Sequence, residues 1–178
     1  MPGPHEHVSI IIDLVRLFRP KTYVELGVQD CHTFNRVVAQ GIVERAVAVD
    51  IRLNGVKRRK GVECFQMTTD EFSAEWEGQI DLLFIDADHS YQQVKKDFFN
   101  LQQWVPIYTG IILLHDTYPL PELEIQSRCG DAWKLAFEIR KCYPNFEIVT
   151  LPGPTCGLSI VRPVTKYNHM RRQDENYC

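Results

Sequence analysis

"DLLFIDADHSY", residues 81–91, sets six apolar side chains among three acids and a histidine. Leu82 to Ile85 form an unbroken apolar run, as expected of a strand covered on both faces of a sheet. The run stops at Asp86, Asp88 and His89, groups that are costly to take out of water. A buried strand that delivers ionisable groups to its carboxyl end suits an open α/β sheet, in which ligands sit just outside the strand ends.

The surrounding pattern agrees. Val8, Ile11, Ile12, Val15 and Phe18 recur at helical spacing, so 6–18 reads as an amphipathic helix ending before Pro20. "YVELGV" (23–28) reads as a strand entering a glycine turn, and 33–43 as a helix with Thr33 near its start as a cap. "RAVAVDIR" (45–52) and "VECFQM" (62–67) read as strands, and 69–76 as a helix opened by Thr69 or Asp70. After the quoted strand comes a helix over 90–105, with Tyr91, Val94, Phe98, Leu101 and Val105 on one face. "GIILLHD" (110–116) is a fifth strand, 117–130 a Pro-containing loop, 132–143 a helix, and "FEIVTL" and "GLSIVRP" a closing antiparallel pair. Strand and helix alternation implies a doubly wound, Rossmann-like, mostly parallel sheet with helices on both faces. One domain over 1–165 and a polar tail over 166–178 are expected, since 178 residues suffice for one sizeable core.

Composition narrows the function. The formal net charge is −3, and the only dense basic runs are "VKRRK" (56–60) and "RR" (171–172), which argues against nucleic acid. The pentapeptide reads as a solvated loop. No apolar run reaches membrane-spanning length and no leader is read at the N-terminus, so no membrane association is expected. Six cysteines without paired spacing read as free thiols in a reducing cytoplasm.

The turn after the first strand, Glu25 to Thr33, holds one glycine, so the G-x-G-x-x-G needed to approach a pyrophosphate is missing. A carboxylate before that glycine suits a cationic amino acid group instead, and Asp50, ending the second strand, suits a bidentate grip on ribose hydroxyls. Together they suggest S-adenosylmethionine. Strands four and five place Asp86, His115 and Asp116 at one edge, a small divalent-cation geometry. Carboxylates favour Mg²⁺ or Ca²⁺, and the imidazole also admits Mn²⁺, Fe²⁺ or Zn²⁺.

"YVELGVQDCHTF", "AVAVDIR", "TTDEF", "DLLFIDADHSYQQVKKDF" and "GIILLHDTYP" resemble, in order and spacing, class I S-adenosylmethionine-dependent methyltransferases, most closely the small-molecule O-methyltransferase branch. The resemblance runs from Tyr23 to Arg162 and implies a seven-stranded sheet with an antiparallel last strand. It implies Glu25, Gly27 and Thr33 around the methionine part, Asp50 on the ribose, Ile51 beside the adenine, and Thr69 and Asp70 at the adenine edge. It also implies a divalent metal, Mg²⁺ with Mn²⁺ or Ca²⁺ as alternatives, on Asp86, His115 and Asp116, and catalysis by Asp86 with His89 as the base. Cys31 stands where the family usually has a second glycine, and its side chain is expected to narrow the methionine pocket.

The expected reaction is methyl transfer to a hydroxyl of a small molecule (sugar, glycoside or phenol-like), in an open site that a second copy of the chain or another subunit can complete. Two competitors remain: a non-haem-iron oxygenase on a similar fold, and a cofactor-binding partner subunit without activity. Several residues also have plainer readings. Asp88 can cap the helix near Ser90, His89 can be a helix-start residue, and His115 with Asp116 can form a hydrogen-bonded turn. Tyr91 and Trp104 read as core, and His5, His7 and His32 as surface.

Overall fold

The computed structural model describes residues 6–119, 129–153 and 156–165. The tail 166–178, His5 and most of the 117–130 loop lie outside them. Among the described residues a seven-stranded sheet runs in the order β3-β2-β1-β4-β5-β7-β6. Its strands are β1 (Thr22–Leu26), β2 (Arg45–Val49), β3 (Val62–Phe65), β4 (Leu82–Ile85), β5 (Ile111–His115), β6 (Phe146–Leu151) and β7 (Leu158–Pro163). β1 to β5 pair in parallel, while β7 pairs antiparallel with both β5 and β6.

Alternation along each strand divides the core between the two faces. Val24, Leu83, Ile85, Ile112 and Leu114 meet Phe72, Phe98 and Leu135 from helices α3 (Thr69–Glu75), α4 (Tyr91–Leu101) and α5 (Trp133–Cys142). Their neighbours Tyr23, Leu82, Phe84 and Leu113 meet Ile11, Val15, Phe34 and Val37 from α1 (Glu6–Phe18) and α2 (His32–Val38). Every one of β1, β4 and β5 is therefore apolar on both sides, and polar groups enter at the ends. Tyr91 and Trp104 pack against the first cluster.

Local chemistry shifts several expected boundaries. α3 is capped by Thr68, not by Thr69 or Asp70: Thr68 accepts from the Glu71 N–H while the Glu71 side chain accepts from Thr68. α4 is capped by Ser90, whose own N–H donates to Asp88 Oδ1 at 2.7 Å, so Asp88 acts two residues before the cap. α2 ends earlier than expected, in tight turn bonds from Gln40 and Gly41 to Val37 and Val38. Thr33 is not its cap; Asp30 accepts from the His32 N–H at 3.0 Å.

The thiol expectation is corrected. Cys129 and Cys156 form a disulfide (Cα–Cα 5.8 Å), while Cys31 and Cys64 are free. Their separation of 27 residues hides the pairing from sequence spacing, because the bond joins the start of α5 to the approach to β7. It also removes the ground on which a reducing compartment was read. Among the described residues no helix is long and apolar enough to cross a membrane.

Candidate active site

The chain's order reverses between β1 and β4, which lie side by side with Leu26 opposite Ile85. The crevice at such a switch point is where an open α/β sheet takes its ligand. Here it is a cleft of about 1230 Å³ along the carboxyl ends of the parallel strands. Glu25, Gly27, Thr33, Asp50, Ile51, Thr69 and Asp70 all line it, as do Asp86, His89 and His115.

Gly27 makes the crevice possible. Its φ is +82°, and a Cβ there would lie 2.3 Å from Asp86 O and 2.4 Å from Ala87 Cα. Only glycine takes that conformation and that approach at once. The β1 turn and the end of β4 are thereby pressed together, with Glu25 on one side and Asp86 on the other.

Glu25 is 2% exposed and accepts a hydrogen bond from the buried Tyr23 hydroxyl. Burial pushes its carboxyl well above the usual range. A cationic ammonium or sulfonium arriving beside it would restore the charged form. Asp50 accepts from the Gln29 N–H at 2.9 Å and from the Arg52 N–H at 2.9 Å, which aims its two oxygens across the cleft. Each oxygen keeps a second lone pair for a ligand hydroxyl. Ile51 is 59% exposed, an apolar face open to a flat ring.

Cys31 does not narrow the cleft. It adopts φ +60°, the left-handed conformation that glycine takes freely, and its fully buried side chain points at Asn54 O, 3.4 Å away, within the α2-side core. The backbone thus keeps a glycine-like turn while the thiol packs inward.

At the other end of the cleft four groups converge. His115 Nδ1 lies 2.9 Å from Asp86 Oδ1 and 3.2 Å from Asp116 Oδ1. His89 Nδ1 lies 2.9 Å from Asp116 Oδ2, and its Nε2 lies 3.7 Å from Asp86 Oδ1. Asp116 is 2% exposed, does not line the cleft, and sits at φ +59°. Burial disfavours charge on both His115 and Asp116, yet their mutual contacts and those with Asp86 and His89 prevail. His115 is pushed up to about 10 and Asp116 down to about 2.

The ligand atoms of Asp86, His115 and Asp116 all lie within 4.8 Å of one another. Neighbouring ligands on a small octahedral ion stand about 3 Å apart, given bonds of roughly 2.1 Å. The observed 2.9 and 3.2 Å fit such an ion, and fit equally a proton shared between imidazole and carboxylate.

The His89 turn is braced from outside. Its carbonyl accepts from the Asp131 and Ala132 N–H groups at 3.0 Å each, and a Cβ at Gly130 would fall 2.2 Å from that same oxygen. Two contributors escaped the sequence reading. His7 is not a surface residue of no consequence: its ring lines the cleft against His115. Gln93 also lines the cleft, and its Nε2, with two hydrogens to donate, lies within hydrogen-bond distance of Thr69 Oγ1 (3.1 Å), Asp70 Oδ1 (3.0 Å) and Asp97 Oδ1 (2.9 Å). Asp97 is fully buried, and that burial pushes the pKa of its carboxyl up to about 6. Its position three residues after Val94 marked it as a polar group entering the apolar face of α4.

Sheet order, a cleft at the β1/β4 switch point and an acid ending β2 together define a class I methyltransferase fold. A methyltransferase domain family matches residues 15–117, more than half of the chain, and the chain belongs to that family as an S-adenosylmethionine-dependent methyltransferase. Similar solved structures include cofactor-bound Rv0187 from MTB (12% identity, TM-score 0.72, 93% of this chain and 83% of that one). They also include an O-methyltransferase from Bacillus cereus in complex with SAH (14% identity, TM-score 0.66, 92% and 83%). The SAH-bound methyltransferase PaMTH1 of Podospora anserina is likewise similar (17% identity, TM-score 0.68, 92% and 80%). No curated relative matches the chain in sequence.

Proposed function

We propose that the protein transfers the methyl group of S-adenosylmethionine to a hydroxyl of a small polar molecule, with His89 as general base and a divalent ion assisting. The observation that carries the reading is the His89 ring, held by Asp116 through Nδ1 at 2.9 Å while Nε2 sits near Asp86 at the cleft. A carboxylate behind an imidazole fixes its orientation and favours the imidazolium that forms when it takes a proton.

Glu25 would face the donor's amino acid moiety, Asp50 its ribose, and Ile51, Thr69 and Asp70 its adenine. The acceptor hydroxyl would lie beside Asp86 and His89. Its proton passes to His89 Nε2 as the oxygen–methyl bond forms, the sulfur–methyl bond breaks, and the sulfonium becomes a neutral thioether. Because charge is lost at sulfur, alignment of the oxygen counts for more than stabilising an oxyanion. Asp86, His115 and Asp116 would hold Mg²⁺, or Mn²⁺ or Ca²⁺, and a bound ion would lower the acceptor's pKa. The described lining of this end is polar, which favours a sugar or glycoside over a phenol. The Cys129–Cys156 bond favours an oxidising compartment over the cytoplasm expected from the sequence.

The test is transfer of tritiated methyl from S-adenosylmethionine to a panel of polyols, glycosides and phenols, with Mg²⁺ or with chelator. Labelled methyl ether formed with Mg²⁺ and lost on chelation supports the full reading. Transfer that survives chelation removes the ion and leaves His89. No transfer to any hydroxyl, with methylation of nitrogen or carbon acceptors instead, removes the hydroxyl.

A further inference from the structure

His7 stands in the first turn of α1 on the same stripe as Ile11, one helical turn on, and Ile11 is fully buried against the sheet. With Val8, Ile12 and Val15 also buried, that stripe anchors α1 and brings its amino-terminal turn over the carboxyl edge of β1, β4 and β5. There the His7 ring lies 4.3 Å from the His115 ring, tilted by 58°, and 5.9 Å from Phe84. On its other side His7 Nε2 lies 3.3 Å from Thr33 Oγ1. Thr33 is 8% exposed and lines the cleft where the donor's methionine part would lie.

His115 is thus enclosed on three sides: two carboxylates at Nδ1, the edge of Phe84 (6.3 Å, 76°) and the His7 ring. An imidazole can rotate about its side-chain torsions, and only with Nδ1 turned toward Asp86 and Asp116 does it complete the cluster. We infer that His7 is a positioning residue joining the two halves of the cleft: its ring holds His115 in the orientation that faces the carboxylates, and its Nε2 holds Thr33 on the donor side. This rests on the reading of Asp86, His115 and Asp116 as the acceptor and ion site.

Three variants separate the two contacts. His7→Ala removes both, His7→Phe keeps a ring over His115 but loses the polar contact, and His7→Gln keeps a polar end without the ring. Mn²⁺ binding is followed by electron paramagnetic resonance and S-adenosylhomocysteine binding by calorimetry. The His115 side-chain resonances are followed by NMR in the metal-free protein, with urea midpoints confirming that each variant is folded.

His7→Ala is expected to shift the His115 resonances, weaken Mn²⁺ about tenfold, as losing a group that orients a ligand does, and weaken S-adenosylhomocysteine about threefold to tenfold, as losing one hydrogen bond does. His7→Phe should retain Mn²⁺ affinity and lose the second effect, and His7→Gln the reverse. Unchanged His115 resonances and both affinities within about twofold in the folded His7→Ala protein would overturn the assignment. If the wild-type protein itself bound neither probe, the reading of the site would fail, and the His115 resonances would still judge the His7 contact.

Discussion

His89 Nδ1 lies 2.9 Å from the buried Asp116 Oδ2, and among the described residues that oxygen has no other hydrogen-bond partner. The Asp116 charge is therefore directed at the imidazole. Replacing His89 with Ala is predicted to lower turnover by roughly 10²- to 10⁴-fold while leaving S-adenosylhomocysteine affinity within about twofold. Asp116→Asn should lower turnover too, because an amide does not favour the imidazolium. Steady-state rates beside calorimetry check both, and a His89→Ala enzyme with wild-type turnover would refute the assignment.

Asp50 is pre-aimed by two backbone N–H groups at 2.9 Å each. Asp50→Ala is expected to weaken S-adenosylhomocysteine by one to two orders of magnitude, about 1.5–3 kcal/mol for charge-assisted bonds. Unaltered affinity would remove Asp50 from the ribose.

Gly27→Ala forces a Cβ to within 2.4 Å of Ala87 Cα at a φ of +82°. Overpacking and left-handed strain together predict a loss of about 3 kcal/mol, with lower cofactor affinity. Urea unfolding measures it, and a variant as stable as wild type would mean the two turns can separate.

The His115–Asp116 pair sets a pH window for the metal-free protein. His115 is raised to about 10, so its contribution is complete below its unfolded value near 6.5 and is lost as pH rises toward 10. Asp116 is lowered to about 2, so its contribution is complete above about 4 and is lost as pH falls toward 2. Melting temperature should decline from neutral to alkaline pH, and His115→Gln should flatten that decline. Binding of Mn²⁺ should strengthen as pH rises, since the ion displaces the His115 proton. A slope identical in the variant would show that other groups set it.

The Cys129–Cys156 bond closes a long loop and adjoins Gly130 and Asp131, which brace the His89 turn. A double Cys→Ser variant is expected to lose about 3 kcal/mol, and its turnover should fall by more than the unfolded fraction explains. Denaturant midpoints and rates on the folded protein test this. Equal midpoints would show the bond to be dispensable.

The sequence by itself determined the strands and the edge at which their polar ends emerge, because apolar runs bounded by ionisable residues have one economical placement in a doubly wound sheet. Glu25, Asp50, Asp86 and His89 were legible for that reason: each follows a buried run by no more than a few residues. Other features depend on contacts between segments far apart in the chain, and periodicity carries no record of these. Only the tertiary structure could bring His7 over His115 and pair Cys129 with Cys156. Likewise it turned the Cys31 side chain into the core, since a left-handed backbone angle redirects a Cβ in a way that residue type does not reveal. It also placed Asp116 behind His89, where one carboxylate faces two imidazoles instead of the open cleft.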